Sequence, residues 1–310
     1  MPAATYGGQA VVEGVMMRGR RHMAVACRAP SGEIVVHSEP VTGGVYSARW
    51  AKLPFLRGTI MIWDTLSLGM RALMFAANVA ASAETGQDAK EAKMPATIMW
   101  TTMVVAILGS IGLFFVLPVL LTSLTDRFVE SAIASNAIEK AIRLILLLGY
   151  MWAIGQMPDI KRVFMYHGAE HKTINAYEAG APLTPESVIK FPIEHPRCGT
   201  TFLLIVMLIS FIAFSLLGRP SLEIRIASRI VLIPFIAGIA YEYIRWSGAR
   251  YQRSGFVRAL MAPGLAVQKL TTREPDRDQL AVAIAALEPV LAAEEPQAAE
   301  PELVEALAAG

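Results

Sequence analysis

The chain has 310 residues, 54% of them hydrophobic and 17% charged, with a mean hydropathy of +0.46 and a formal net charge of +2. Soluble globular proteins carry about 25% charged residues, so the composition points to an integral membrane protein, and the small net charge argues against nucleic-acid binding. The two cysteines, Cys27 and Cys198, are too far apart in sequence for a secreted disulfide framework and fit reduced thiols on a cytoplasmic face. The N-terminus lacks the basic segment and apolar core of a signal peptide, so insertion relies on internal segments.

Residues 1–50 alternate glycines with short β-type runs such as Val11-Val12 and Glu33-Ile34-Val35-Val36, and Pro30-Ser31-Gly32 reads as a hairpin turn. A small β-rich cytoplasmic domain is expected there, with homo-oligomerisation or a protein partner through residues 1–50 left open. Residues 54–84 form a long helix-like run in which Arg57, Asp64 and Arg71 are spaced seven apart and share one face. It reads as an interfacial or re-entrant amphipathic helix.

A spanning helix needs roughly 20 apolar residues to cross about 30 Å of hydrocarbon. Four stretches qualify: 98–121, 138–157, 201–217 and 226–246. Lys140 and Arg143 near the start of the second have stems long enough to snorkel. Lysines and arginines are abundant before the first span, in the 158–200 loop and after the fourth, where Arg245, Arg250, Arg253 and Arg258 cluster; they are sparse in the other two loops. By the positive-inside rule both termini and the 158–200 loop are cytoplasmic. Residues 247–272 hold a second surface helix. Residues 273–310 are rich in Ala, Glu and Pro and are expected to be an acidic disordered tail, with a short helix at 278–291 as the alternative.

The 158–200 loop carries the chemistry. His167-Gly-Ala-Glu170-His171 places two imidazoles at i and i+4, on one helical face. Glu178, eleven residues on, returns to within about 20° of His167 at 100° per residue, and Glu170 flanks the pair. Gly180 and Pro182 end the helix. His-x-x-Glu-His is an inverted zinc-protease arrangement, in which the imidazoles bind metal and the glutamate acts as general base. A third ligand comes from Glu178, His195 or Cys198, the last two lying in a turn ahead of the third span. Histidines that hydrogen-bond to lipid headgroups, or a closed structural site, are the bland alternatives.

Two further places stand out. Glu242 lies inside the fourth span, where a carboxylate marks function by default; pairing with Arg245, three residues on, is the equally weighted structural alternative. Glu13 and Arg18 sit in Gly7-Gly-Gln-Ala-Val-Val-Glu-Gly-Val-Met-Met-Arg-Gly19, which lacks the Gly-Lys-Ser/Thr of a phosphate loop and reads as a tight β-turn with a surface charge pair.

Three motifs in order, residues 7–19, Phe164-Met-Tyr-His-Gly-Ala-Glu-His-Lys172 and His195-Pro-Arg-Cys-Gly-Thr200, resemble the YqhQ-type family of bacterial membrane proteins. The resemblance covers roughly residues 6–272. That family is classed as a domain of unknown function and described as predicted metal-dependent enzymes. Carried over by position, the resemblance implies His167, Glu170, His171, His195 and Cys198 as metal-site candidates and Glu13 and Arg18 as a signature of unknown role.

The chain is therefore expected to be an α-helical polytopic protein of the bacterial inner membrane, with about four transmembrane helices, a small β-rich N-terminal cytoplasmic domain and an interfacial amphipathic helix. The expected function is a hydrolase using a divalent metal, zinc by its ligand types, at the cytoplasmic face. A non-catalytic scaffold with a structural metal is the alternative, and transport through Glu242 is the weaker one.

Overall fold

A computed structural model describes residues 6–41, 56–85, 96–125, 128–129, 131–217 and 222–294. The part of the expected N-terminal domain at 42–50 and of the expected tail at 295–310 lie outside the described residues.

Strands β1 (Gly7–Val11), β2 (Gly14–Arg18), β3 (His22–Arg28) and β4 (Ile34–Pro40) form an antiparallel meander in the order β1-β2-β3-β4. The turn at Pro30-Ser31-Gly32 is where the sequence placed it, with Gly32 at φ 89° and Arg28 opposite Ile34. Both sheet faces are covered. Val15, Met17, Ala24 and Ala26 point into one core with α5 (Pro158–Glu178) and α10 (Arg277–Glu294). Met16, Met23, Val25 and Cys27 point into another, against Leu68, Ala72, Ala76 and Val79 of α1 (Leu56–Thr85). Coverage on both sides explains why Met23–Cys27 is a continuous apolar run rather than an alternating one.

Within the expected helical run at 54–84, α1 is a single continuous helix of 30 residues. Its three heptad-spaced charges each meet a different element. Arg57 makes a bidentate pair with Glu242 at 2.6 and 2.5 Å, Asp64 pairs with Arg18, and Arg71 meets Glu39 at 2.8 Å. A Cβ added at Gly58 would come within 3.0 Å of the Gly238 Cα, so α1 enters the helical bundle through a glycine contact with α8 (Leu222–Arg250).

Each of the four apolar stretches forms helix. The first comprises α2 (Ala96–Ile111), a π-helical turn at Gly112–Val116 and α3 (Leu117–Thr125). Pro118 follows the π turn; it has no N–H, and its ring crowds the carbonyl four residues back. The second is α4 (Ala132–Ile154), capped by the Ser131 hydroxyl, the third α7 (Gly199–Leu216), and the fourth α8. Trp100–Leu124 and Gly199–Leu216 are long and apolar enough to cross a membrane, and their apolar side chains mostly face outward. Lys140 and Arg143 do not simply snorkel: both contact Glu139, at 3.3 and 2.9 Å.

Of the two expectations for the tail, disorder or a short helix at 278–291, residues 277–294 form the helix. α10 fills the sheet's second face with Leu280, Ala283, Ile284, Leu287 and Val290, all nearly or fully buried. Alanine suits this place because its small side chain lets the helix approach the strands closely. Asp276 and Gln279 exchange hydrogen bonds of 2.8 and 3.0 Å at the helix start, a capping box. The surface helix expected within 247–272 is α9 (Gly255–Gln268), while α8 runs on to Arg250.

Candidate metal centre

The mostly polar helix α5 is nonetheless largely buried, between the sheet and α10 on one side and the returning chain 189–198 on the other. Pro158 at its first position, with Asp159 in the first turn, suits a helix start. Gly180, at φ 69°, closes a Schellman turn in which the Ala181 N–H donates to Ala176 at 3.0 Å and the Gly180 N–H to Tyr177 at 2.9 Å.

The returning chain lies on a rail of α5 side chains. Lys172 Nζ donates to the carbonyls of Ile189 and Phe191 at 2.8 and 2.6 Å, and Asn175 to those of Pro192 and Glu194 at 2.9 and 3.1 Å. The carboxamide of Gln268, at the end of α9, donates to the His195 carbonyl and accepts from its N–H, and also donates to Thr201 Oγ1. These bonds hold the turn that leads into Cys198, the N-cap of α7.

His167 and His171 lie one turn apart with ring centroids 4.4 Å from each other. His167 Nδ1 is 2.9 Å from the Thr271 carbonyl, and His171 Nδ1 is 2.5 Å from the Ile193 carbonyl. A carbonyl only accepts, so each Nδ1 carries the proton and, in the neutral ring, each Nε2 keeps a lone pair. Cys198 Sγ is 3.3 Å from His167 Nε2. Ligand atoms of His167, His171 and Cys198 all lie within 4.8 Å of one another. Tetrahedral zinc with bonds of about 2.0–2.3 Å sets its ligands about 3.5 Å apart; the Cys198–His167 separation already has about that length. Imidazoles whose second nitrogen is held by a backbone carbonyl are the usual metal-binding form. Two imidazoles and a thiol are a donor set that could hold a metal ion.

Of the three candidate third ligands, the structure brings Cys198 to the histidines. Glu178 returns toward their face but is taken by Arg197, and its other oxygen is 3.8 Å from His195 Nε2. Burial works to raise its carboxyl, but His195 and Arg197 outweigh that and hold it below the ordinary carboxylate range. His195 stands beside the cluster, its ring centroid 5.6 Å from that of His171. Burial, opposed by Glu178, lowers its imidazole to about 4, so it is neutral at pH 7.

Glu170 turns away from the ligands toward β1, where it accepts the Gly8 N–H. A Cβ at Gly8 would meet its carboxyl carbon at 3.0 Å. Burial raises the Glu170 carboxyl to about 7, against the pull of His167 and the Gly8 bond. Glu13 and Arg18 are not each other's partners, as the surface-pair reading had them. Glu13, in the β1–β2 turn at φ 51°, binds Arg162 of α5 through both oxygens at 2.5 Å and the Tyr166 hydroxyl at 3.2 Å, while Arg18 binds Asp64. Glu242 pairs with Arg57 rather than Arg245.

Several contributors escaped the sequence reading. The carbonyls of Thr271 and Ile193 orient the imidazoles, and backbone groups leave no residue-type signal. Gly168, inside the His-Gly-Ala-Glu-His string, matters because a Cβ there would lie 2.1 Å from the Arg273 carbonyl oxygen. Its absence lets 271–275 lie against α5, where the Arg273 N–H donates to Phe164 at 2.9 Å. The glycine between the two histidines was the available signal.

No solved structure matches the chain. It is 36% identical over 286 residues to the uncharacterized protein YqhQ of Bacillus subtilis (strain 168), covering 90% of each chain. The model of a family described as a protein of unknown function, DUF1385, matches residues 53–293, a span that takes in α10, which the sequence reading had left outside. The chain belongs to this YqhQ-like DUF1385 family.

Proposed function

We propose that the chain is a multi-pass protein of the bacterial inner membrane, with both termini cytoplasmic, and a zinc-dependent hydrolase whose site lies at the cytoplasmic face. The observation that carries this reading is the convergence of His167, His171 and Cys198, with both Nδ1 protons committed to backbone carbonyls. Support for four spans comes from α4 and α8, which carry exposed apolar groups such as Ile145, Trp152, Val231 and Phe235 in addition to those of α2 and α7. With four spans, chain order would bring the end of α4, the start of α7 and the end of α8 to one face, with α5 between the first two.

Zinc held at this site would supply Lewis acidity toward a water or a substrate carbonyl. His167, His171 and Cys198 hold it, and the Thr271 and Ile193 carbonyls fix the imidazoles. Glu170, beside His171 in the His-x-x-Glu-His string, would serve as the general base. Elemental analysis of purified protein tests the centre: zinc is expected in the wild type and lost in His167→Ala/His171→Ala. Equal zinc in both rules the site out.

A second reading, a scaffold with a structural metal, is favoured by one observation: Glu170 is only 5% exposed, closed in by β1. Glu170→Gln separates the two. An enzyme loses its cellular function while keeping metal and fold; a scaffold is indifferent.

A further inference from the structure

A narrow apolar slot adjoins the cluster. Leu147 and Met151 of α4, Leu203 and Leu204 of α7 and Val267 of α9 line it together with Thr200. Thr200 also belongs to the site: its hydroxyl is 3.4 Å from Cys198 Sγ and 3.2 Å from that of Thr271, whose carbonyl orients His167. One residue thus joins the slot to the candidate ligands. In the other direction the walls continue into outward-facing apolar surface, with Ile145 68%, Leu203 51% and Leu208 57% exposed. Because Cys198 caps α7, the cluster lies at the level where that apolar helix begins. Beside it, α9 turns Val257 and Met261 inward and Phe256 and Leu260 outward, with Arg253 and Arg258 exposed nearby, the pattern of a helix lying in a membrane interface.

We propose that the cluster takes its substrate from the bilayer: a lipid whose acyl chain enters between α4 and α7 and whose polar head meets His167, His171 and Cys198. The head-binding half rests on the metal-centre reading; the chain-binding half rests on the slot. With a free volume of about 10 Å³, the closed slot holds at most about one water, so the proposal requires the leucine faces of α4 and α7 to part around an acyl chain. Apart from Thr200 its lining is aliphatic and satisfies no polar group of a water-soluble substrate.

Full-length protein in nanodiscs containing a phospholipid with a diazirine on its acyl chain provides the test. After irradiation, labelled residues are mapped by mass spectrometry and metal is measured on the same sample. Label is expected at Met151 and Val267 as well as at the outward Leu208. Leu204→Trp is expected to lose the inner label and keep both the outer label and the metal. Leu147→Phe fills the slot from α4 and is expected to give the same loss, should α7 not accept tryptophan. Wild-type label confined to outward residues overturns the proposal, as does inner label that persists in both filled variants. Inner label in a wild type without metal keeps the lipid chain in the slot and overturns the metal reading alone.

Discussion

β3 and α7 are both nearly uninterrupted apolar runs, and they bury them in opposite ways. From Met23 to Cys27 no residue of β3 is more than 1% exposed, because α1 covers one face of the sheet and α10 the other. On α7, Leu203, Leu208, Ile212 and Leu216 are all at least half exposed. Similar composition therefore serves two surroundings, a packed protein interior and, on our reading, hydrocarbon. The candidate metal centre lies where they meet: its histidines belong to the helix packed on the sheet, and its cysteine caps the outward-facing helix.

The strongest way to break this contrast is to remove α10. Truncation after Thr272 uncovers the sheet's apolar face; loss of amide protection across β2 and β3 and loss of bound metal are expected by hydrogen exchange and elemental analysis. Next comes a pair of matched deletions. Leu287→Ala in the sheet core should cost about 2–5 kcal/mol, while Leu208→Ala on α7 should stay within about 0.5 kcal/mol in nanodiscs. Equal costs in denaturant melts would erase the distinction between the two regions. At the junction, Gly168→Ala pushes on the Arg273 carbonyl and so displaces Thr271 from His167; zinc affinity is expected to fall about 10–100-fold in competition titrations.

The smallest effect concerns Cys27. Burial, helped by the charge of Glu13, pushes its thiol from 9.0 up to about 12. Below pH 9 folded and unfolded chains both keep the proton. Between pH 9 and 12 the unfolded chain releases it and the folded one does not, so stability falls as pH rises through that window. Cys27→Ala should flatten this alkaline slope in melts at pH 8 and pH 10, with no such change expected for the wild type below pH 9.

What could be read from the chain alone follows the range of the interactions. The four apolar runs, the Gly32 turn and the i, i+4 histidines are local patterns, and each reappears in the structure. Long-range choices did not show. Glu242 has Arg245 three residues away yet pairs with Arg57, because α1 packs across α8 at Gly58 and Gly238. Glu178 has the helical phase of a ligand, but Arg197 claims its carboxylate. The helix at 278–291 stood only as the alternative to disorder because alanines weigh little in a hydrophobic count, although Asp276 and Gln279 mark its start and Leu280, Ala283, Ile284 and Leu287 keep helical spacing.

The heptad of charges along α1 gives that helix the character of a strut. Arg57 bolts one end to α8 within the bundle, and Asp64 and Arg71 fasten its middle to β2 and β4. A stiff rod tied at several points shifts as a unit. A displacement of α8 therefore reaches β2 and β4 through side-chain ion pairs on one helix rather than through a connecting loop.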